Sequence, residues 1–291
     1  MRRRTFLPAL PAAALGLAAC AGTRRATVGS QDGAEAMLLA EIAALVLEKK
    51  AQAKVERRLA LGNSSALLQA IQNGDVHVYP EYSRQGYKVF FKQEEPIDDA
   101  MATEKLRGLF RSNALAEWLN PLGFESNHMV IGLRENEAIS KFSTLSALVG
   151  QGERYVLGFT SEFSQSPEGY ATLKSVYPIA EKSAPRIEPL GQLYFGLGEK
   201  RIDLLVTTSN DPLAYEGKYV IFEDDRTAFA GNRASYLVRA ESPEAEQAYV
   251  AALSSLSGKL NNEAMRALNA EVLIQKRAIA EVAAAWVAKL G

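Results

Sequence analysis

The chain contains little cysteine and little histidine. Its 291 residues include one cysteine, Cys20, and two histidines, His77 and His128. A single cysteine excludes an internal disulfide, and three such side chains are too few for a usual zinc cluster. The sequence also lacks a Gly-x-Ser-x-Gly nucleophile elbow, a dinucleotide-binding fingerprint and a phosphate-binding loop ending in Lys-Ser or Lys-Thr. We therefore expect no catalytic activity, and neither a metal nor a cofactor.

The chain also lacks a strong excess of charge of either sign. It carries 33 basic and 34 acidic residues, for a formal net charge of −1. Removal of residues 1–19 would take away three arginines and no acid, which moves the net charge to −4. This mild acidity argues against a nucleic-acid partner, because nucleic-acid binding needs a basic surface.

The first nineteen residues have the layout of a secretory signal peptide. Three arginines starting at Arg2 precede an apolar stretch, 6–19, which is too short to span a membrane. A Leu-Ala-Ala-Cys motif ends at Cys20 and is typical of a lipoprotein cleavage site, although a lone cysteine is more often a small core residue. We expect a lipid on Cys20 to anchor the protein. The arginines fit both a twin-arginine and an ordinary export signal, so the export route stays open.

Strand and helix patterns alternate after a short polar tether. The alternation predicts an α/β fold with mostly parallel sheets that are covered on both faces. The first helix, 34–48, has apolar residues at helical spacing, so one of its faces is predicted to pack on the sheet. Asn63 or Ser64 can cap the next helix, which Gly74 ends. A further helix is predicted over 102–119.

The run from Gly74 to Tyr82 is the most informative part of the chain. Val76 and Val78 alternate with polar neighbours and predict a strand, and Pro80, which has no N–H, is predicted to stop its pairing. The chain then leaves the sheet at the carboxyl end of the strand, where ligands of open α/β sheets bind. Tyr82 is therefore a candidate ligand contact, with an ordinary half-buried tyrosine as the alternative.

Several short motifs follow one another along the chain in a set order. They are Val28-Gly29-Ser30-Gln31-Asp32 with Glu35, Leu38-Leu39-Ala40-Glu41, Leu61-Gly62-Asn63, Tyr79-Pro80-Glu81-Tyr82, Trp118-Leu119-Asn120-Pro121-Leu122-Gly123-Phe124, Phe222-Glu223-Asp224-Asp225 with Phe229, Leu256-Ser257-Gly258-Lys259-Leu260 and Met265-Arg266-Ala267-Leu268-Asn269. This ordered set resembles the substrate-binding proteins of ABC importers for glycine betaine, choline and related osmoprotectants. The resemblance runs from about Thr27 to the C-terminus.

The resemblance implies a two-lobed type II periplasmic binding-protein fold, a clamshell that closes on its ligand by hinge bending. The predicted division is 1–19 signal peptide, 20–26 lipid-anchored tether, 27–128 plus 226–291 first lobe, and 129–225 second lobe. Such a protein would bind an osmoprotectant such as glycine betaine or choline, or a more polar relative. It would do so in the periplasm or on the outer face of a membrane, and would pass the solute to an ABC permease.

The ligand site implied by the resemblance departs from the family pattern. The family holds a quaternary ammonium, which has no N–H donors, in a tyrosine-rich cage. Here Tyr82 keeps one cage position, whereas His128, Thr208 and Asn232 stand where other aromatic residues are expected. The positions where the family holds the ligand carboxylate also differ, with Gln31 in the first strand–helix loop and Ser166 where an arginine is expected. The predicted ligand-binding set is Gln31, Tyr82, Gln85, His128, Ser166, Thr208 and Asn232. Its amide and hydroxyl groups suit a polar ligand.

Several alternatives remain open at this point. Tyr194 and Tyr215 could turn inward and restore part of a cage, and Arg84 could hold a carboxylate or point to solvent. His128 fits a satisfied strand histidine as well as a ligand contact. A sensor or accessory lipoprotein with the same fold is an alternative function, and an envelope enzyme would need a nucleophile, base or metal set that the sequence does not display.

Overall fold

The structure is a computed structural model that describes residues 24–92, 97–113, 115–166, 169–229, 231–240 and 243–290. The predicted signal peptide and Cys20 lie outside the described residues. The strands are β1 (Arg25–Gly29), β2 (Lys54–Arg58), β3 (Val78–Tyr82), β4 (Ala116–Trp118), β5 (His128–Leu133), β6 (Arg154–Tyr155), β7 (Leu157–Phe159), β8 (Ala180–Glu181), β9 (Arg186–Ile187), β10 (Leu204–Thr208), β11 (Tyr219–Phe222) and β12 (Ala234–Arg239). The helices are α1 (Ala34–Lys50), α2 (Ser64–Asn73), α3 (Ser83–Phe91), α4 (Asp99–Ser112), α5 (Glu137–Ser140), α6 (Leu145–Val149), α7 (Ser161–Gln165), α8 (Tyr170–Val176), α9 (Leu190–Gly198), α10 (Pro243–Ser254), α11 (Asn262–Leu273) and α12 (Ile279–Ala288).

Two five-stranded sheets form the centres of two lobes. The first has the order β2-β1-β3-β12-β4, and the second has the order β11-β5-β10-β7-β9. In each sheet four strands run in one direction, and a single strand, β12 or β5, runs against them. Each of these reversed strands comes directly after the chain has crossed between the lobes. His128, the last residue of the predicted first lobe, is the first residue of β5.

Apolar side chains cover both faces of each sheet. On one face of the first sheet, α1 packs with α10, α11 and α12, and on the other face α2, α3 and α4 enclose a second core. Helix α1 is buried on nearly every side, with Leu38, Ile42 and Leu47 fully buried. The predicted packing of one face on the sheet is therefore confirmed, and the opposite side is buried as well, because the C-terminal helices pack over it. Two further cores cover the second sheet.

Strand β3 runs through Pro80, so the prediction that this proline stops the pairing is wrong. Pro80 lies opposite Tyr236 of the antiparallel strand β12. The carbonyl of Tyr236 accepts a bond from Leu119 on its other side, so Pro80 needs no donor toward β12. On its remaining side, β1 pairs with β3 only at Val78. Pro80 therefore lies beyond the last paired residue of the ladder to β1, where its missing N–H breaks no ladder bond.

The helix predicted over 102–119 is also partly wrong. Helix α4 ends at Ser112, and Ala116–Trp118 forms the edge strand β4, in which the outer two residues are buried and Glu117 is exposed. The prediction at α2 is confirmed, because the Asn63 side chain accepts from the N–H groups of Ser65 and Ala66, and Gly74 ends the helix at a φ of 80°. Among the described residues, no helix has the length and apolar character needed to cross a membrane.

The backbone carbonyl of Glu125, in the first crossing, accepts three side-chain bonds. Asn210 donates at 2.9 Å, Ser209 at 3.2 Å and Asn262 at 2.7 Å. Ser209 and Asn210 follow β10 of the second sheet, whereas Asn262 begins α11. This carbonyl therefore joins the crossing to both the second lobe and the C-terminal helices.

Candidate functional site

A cleft lies between the lobes, where the carboxyl ends of the parallel strands of both sheets meet. Its cavity has a volume of about 250 Å³. Cavities that hold drug-sized ligands usually measure roughly 300–1,000 Å³, so this cleft suits a small solute. The lining residues come from the loops and helix starts that follow β1, β3, β7 and β10, from the crossings, and from α11.

The first-lobe wall contains a chain of side-chain hydrogen bonds, which we call the glutamine network. Gln31 donates to Glu81 at 2.7 Å, and Gln85 donates to Gln31 at 3.2 Å and to Ser64 at 2.9 Å. Glu81 also accepts from the backbone N–H of Tyr82 at 2.9 Å. Because these bonds are directional and most of the groups are buried, the network fixes the side chains along this wall.

A second group on the first-lobe wall centres on Glu35, in the first turn of α1. The Tyr82 hydroxyl donates to one carboxylate oxygen at 2.6 Å, and the Asn269 amide donates to the other at 2.9 Å. The Asn269 amide also donates to the carbonyl of Asn210 at 3.0 Å. Helix α11 thereby contacts both the cleft and the turn after β10.

The second-lobe wall is built mainly from rings. His128 packs edge-on against Phe163, with ring centroids 4.7 Å apart, and against Phe229 at 5.6 Å. Thr207 and Asp211 lie beside these rings, and the Thr207 hydroxyl donates to Asp211 at 2.5 Å. This wall offers aromatic faces and hydroxyl groups, with His128 and Phe163 lining the cleft itself.

Burial shifts the pKa values of several groups at the cleft. It raises the pKa of Glu81 to about 7, although bonds from Tyr82, Ser64 and Gln31 oppose the shift. Burial also raises the pKa of Glu35, against the bonds from Tyr82 and Asn269. On the facing wall, burial and then the charge of Arg84 lower the pKa of His128 to about 4, so this imidazole is neutral near pH 7.

The carboxylates of the two lobes influence one another across the cleft. Burial, and then the negative charges of Asp32 and Glu35, raise the pKa of Glu162. Asp32 and Glu35 belong to the first lobe, whereas Glu162 lies on α7 of the second. Among the described residues, no group of three or more His, Cys, Asp or Glu side chains is arranged to hold a metal ion.

Six of the seven residues predicted as ligand contacts line this cleft. They are Gln31, Tyr82, Gln85, His128, Thr208 and Asn232. The seventh, Ser166, lines an adjoining cavity of about 420 Å³ instead. That cavity also lies between the lobes, and it shares Asp32, Gln85 and Glu162 with the cleft.

The structure answers three of the questions that the sequence left open. The Tyr194 hydroxyl donates to Asp211 at 2.5 Å, and the Tyr215 hydroxyl donates to the carbonyl of Ser209 at 3.1 Å. Neither tyrosine lines the cleft. Arg84 is 4% exposed and donates to the carbonyl of Ala228 at 3.2 Å, so it does not point to solvent.

The site predicted from the sequence omitted several lining residues, among them Asp32, Glu35, Glu162, Phe163 and Asn269. A sequence signal existed for Asp32 and Glu35, because both stand where a strand passes into the first turn of a helix. Asn269 ends one of the motifs that carry the resemblance, but its place at the cleft was not predicted, since its bond to Glu35 joins residues 234 positions apart.

A sequence profile of one family matches residues 25–289 of the chain. The family is described as the substrate binding domain of ABC-type glycine betaine transport system. A glycine-betaine-binding protein of Pseudomonas aeruginosa is 23% identical over 287 residues, which cover 94% of this chain and 91% of that protein. An ergothioneine transport permease/ergothioneine binding protein of Helicobacter pylori is 22% identical over 265 residues. That match covers 91% of this chain but only 47% of the Helicobacter protein, so the chain spans about half the length of that relative.

Among solved structures, one described as a glycine betaine/carnitine/choline ABC transporter superimposes with a TM-score of 0.74. The two proteins are 21% identical, and the match covers 91% of this chain and 98% of the other. At this level of identity the match supports the fold alone. It confirms the predicted two-lobed α/β fold with mostly parallel sheets.

Proposed function

Since the chain belongs to the family of substrate-binding domains of ABC-type glycine betaine transport systems, we propose that it binds a small osmoprotectant between its lobes. The solute is of the glycine betaine or choline type, or a more polar relative, and the protein passes it to an ABC permease. The family consists of binding proteins for transport, in agreement with the absence of a catalytic motif from the sequence.

One observation carries this proposal: a cleft of small-solute size lies at the two crossings, with aromatic side chains on both walls. Tyr82 faces it from the first lobe, and His128 and Phe163 face it from the second. Aromatic faces attract cationic solutes through their quadrupoles. Closure of the lobes would bring these faces onto the solute from both sides.

We propose that Gln31, Tyr82, Gln85, His128, Thr208 and Asn232 contact the solute, and that Ser166 contributes from the adjoining cavity. Their hydroxyl, amide and imidazole groups donate and accept hydrogen bonds. We propose lobe boundaries close to 27–128 plus 226–291 and 129–225, with His128, the first residue of β5, and Phe229, which packs in the core of the second sheet, assigned to the second lobe. The crossings between them would then serve as the hinge.

A lipid on Cys20 is the proposed anchor, and the protein would act on the outer side of the cytoplasmic membrane. The Leu-Ala-Ala-Cys motif after an apolar stretch supports this attachment. Mass spectrometry of the membrane-extracted protein tests it, because a diacylglyceryl group on Cys20 would be lost in a Cys20→Ser variant.

A thermal-shift screen of the full chain tests the binding function. The panel comprises glycine betaine, choline, carnitine, ectoine, amino acids, sulfonates and small amines. A ligand present at 100 times its dissociation constant should stabilise the folded protein by about 2.7 kcal/mol. Tyr82→Ala should abolish the shift, whereas the control Tyr215→Ala should keep it. A cooperatively melting protein that no solute stabilises would contradict the proposed function.

A further inference from the structure

The charge of the cleft lining has a single sign. Four acidic side chains line it, Asp32 and Glu35 from the first lobe and Glu162 and Asp211 from the second. None of the described lining residues is a lysine or an arginine, and His128 is neutral near pH 7. Asp211 is satisfied within its own lobe, because it accepts from Tyr194, Thr207 and the N–H of Leu213. Three carboxylates remain in the lining, and among them Glu35 already accepts from Tyr82 and Asn269.

The N-terminus of α1 is not sufficient to stabilise the negative charge of these three carboxylates. A helix N-terminus stabilises a nearby negative charge by only about 0.3–1 kcal/mol at a surface, and the effect falls off within the first turn. Glu162 lies on the opposite lobe, and its raised pKa reflects the proximity of Asp32 and Glu35 in addition to burial. The cleft therefore brings like charges of the two lobes together, which favours a positive charge between them.

A separate observation indicates what that positive group must donate. Asn269 lines the cleft and is 3% exposed, and both of its amide bonds go to acceptors, Glu35 and the carbonyl of Asn210. Its carbonyl oxygen is consequently an acceptor, and it has no hydrogen-bond partner among the described residues. A buried acceptor without a donor is costly, and this oxygen lies beneath the cleft surface, so a ligand gains affinity from it when closure brings an N–H within reach.

We propose that the cleft prefers a small cation carrying at least one N–H donor, such as a protonated amine or a guanidinium, held by Glu35, Asn269 and Glu162. The inference rests on the proposed function and narrows its substrate class. A trimethylammonium group offers no N–H to these acceptors and depends on a cage of aromatic faces. The carboxylates instead form charge-assisted hydrogen bonds with an N–H cation. One such ligand also neutralises the facing charges that oppose closure.

Matched ligand pairs test the proposal on the full-length protein. Calorimetric titration compares choline with N,N-dimethylethanolamine and glycine betaine with N,N-dimethylglycine near neutral pH. Within each pair one N-methyl group is replaced by an N–H. We expect the N–H member to bind roughly tenfold to a hundredfold more tightly, as for a hydrogen bond to a charged group. Equal or tighter binding of the quaternary members would overturn the proposal while leaving the proposed function intact.

Substitutions test which side chains cause the preference for the N–H ligands. Glu162→Gln removes one charge from the second-lobe wall and should reduce the N–H preference several-fold. Glu199→Gln is the control, because Glu199 is exposed at the far end of α9, whose first residue, Leu190, lines the cleft. An unchanged preference in Glu162→Gln and also in Glu35→Gln would overturn the assignment. If no member of the thermal-shift panel stabilises the protein, the proposed function itself is contradicted.

Discussion

Directional hydrogen bonds hold the first-lobe wall of the cleft, whereas ring packing holds the second-lobe wall. In the first lobe, Gln31, Glu81 and Gln85 fix one another through polar atoms. In the second, His128 and Phe163 contact each other through their rings. The first wall should therefore respond to changes of protonation and of single polar atoms. The second should respond mainly to loss of volume.

Truncation of a ring in the second wall should cause the largest loss of stability. Phe163→Ala removes a side chain that is 3% exposed and that packs against His128, Phe159 and Phe229. We expect the free energy of unfolding to fall by about 3–5 kcal/mol, as for other buried phenylalanines. Phe195→Ala is the control, because Phe195 is 62% exposed. Similar losses in the two variants, measured by denaturant unfolding, would contradict the ring-packing account.

Removal of a titrating group should next change the first wall. The pKa of Glu81 is about 7 in the folded protein, above its ordinary 4.5. The folded state therefore holds the proton more strongly. This contribution to stability is complete below pH 4.5 and is lost as the pH rises through 7. We expect a loss on the order of 3 kcal/mol. Glu81→Gln should remove this decline in unfolding measurements across the range, and Glu117→Gln, at an exposed position, should keep it.

His128 in the second wall should make stability depend on pH in the opposite direction. The pKa of His128 is lowered from 6.5 to about 4, so the unfolded state takes up the proton more readily. Its contribution to stability is present above pH 6.5 and is lost as the pH falls through 4. We expect about 2 kcal/mol, since His128 is only half-buried. In the Glu81→Gln background this rise of stability with pH should be visible, and His128→Phe should abolish it. If His77→Gln abolished this rise instead, the assignment to His128 would be contradicted.

The smallest effect should come from a single hydroxyl of the first wall. Tyr82→Phe removes the bond to Glu35 and keeps the ring. We expect the free energy of unfolding to fall by about 1 kcal/mol, and the pKa of Glu35 to rise further because a bond to its charged form is lost. Tyr215→Phe also removes one bond, but at a residue that is 46% exposed, and should cost less. Equal losses would show that the Tyr82 hydroxyl contributes nothing specific.

The elements that were predicted well are those specified by residues close together in the chain. The Asn63 cap and the left-handed Gly74 depend on a few adjacent residues. Pro80 misled the prediction because its effect depends on where β1 ends, which is a property of the sheet. Strand β4 was missed because Ala116 and Trp118 are buried against β12, whose residues lie far along the chain.

The same distinction holds for the site. Six residues were placed by the family resemblance, and they come together in one cleft. Phe163 was not predicted, because its role arises from contacts with His128 and Phe229 that no local pattern encodes. Asn269 was missed for the same reason. Ser166, the residue after α7, lies in the adjoining cavity.

The three bonds to the Glu125 carbonyl connect the C-terminal part of the chain to the second lobe at the crossing between the lobes. Helix α11 holds this carbonyl through Asn262 and contacts the turn of the second lobe through Asn269. A change in the angle between the lobes must therefore strain or shift α11. The same helix contacts the interior of the cleft through Asn269. If a solute in the cleft changes the angle between the lobes, hydrogen exchange of the α11 backbone amides should report occupancy and angle together.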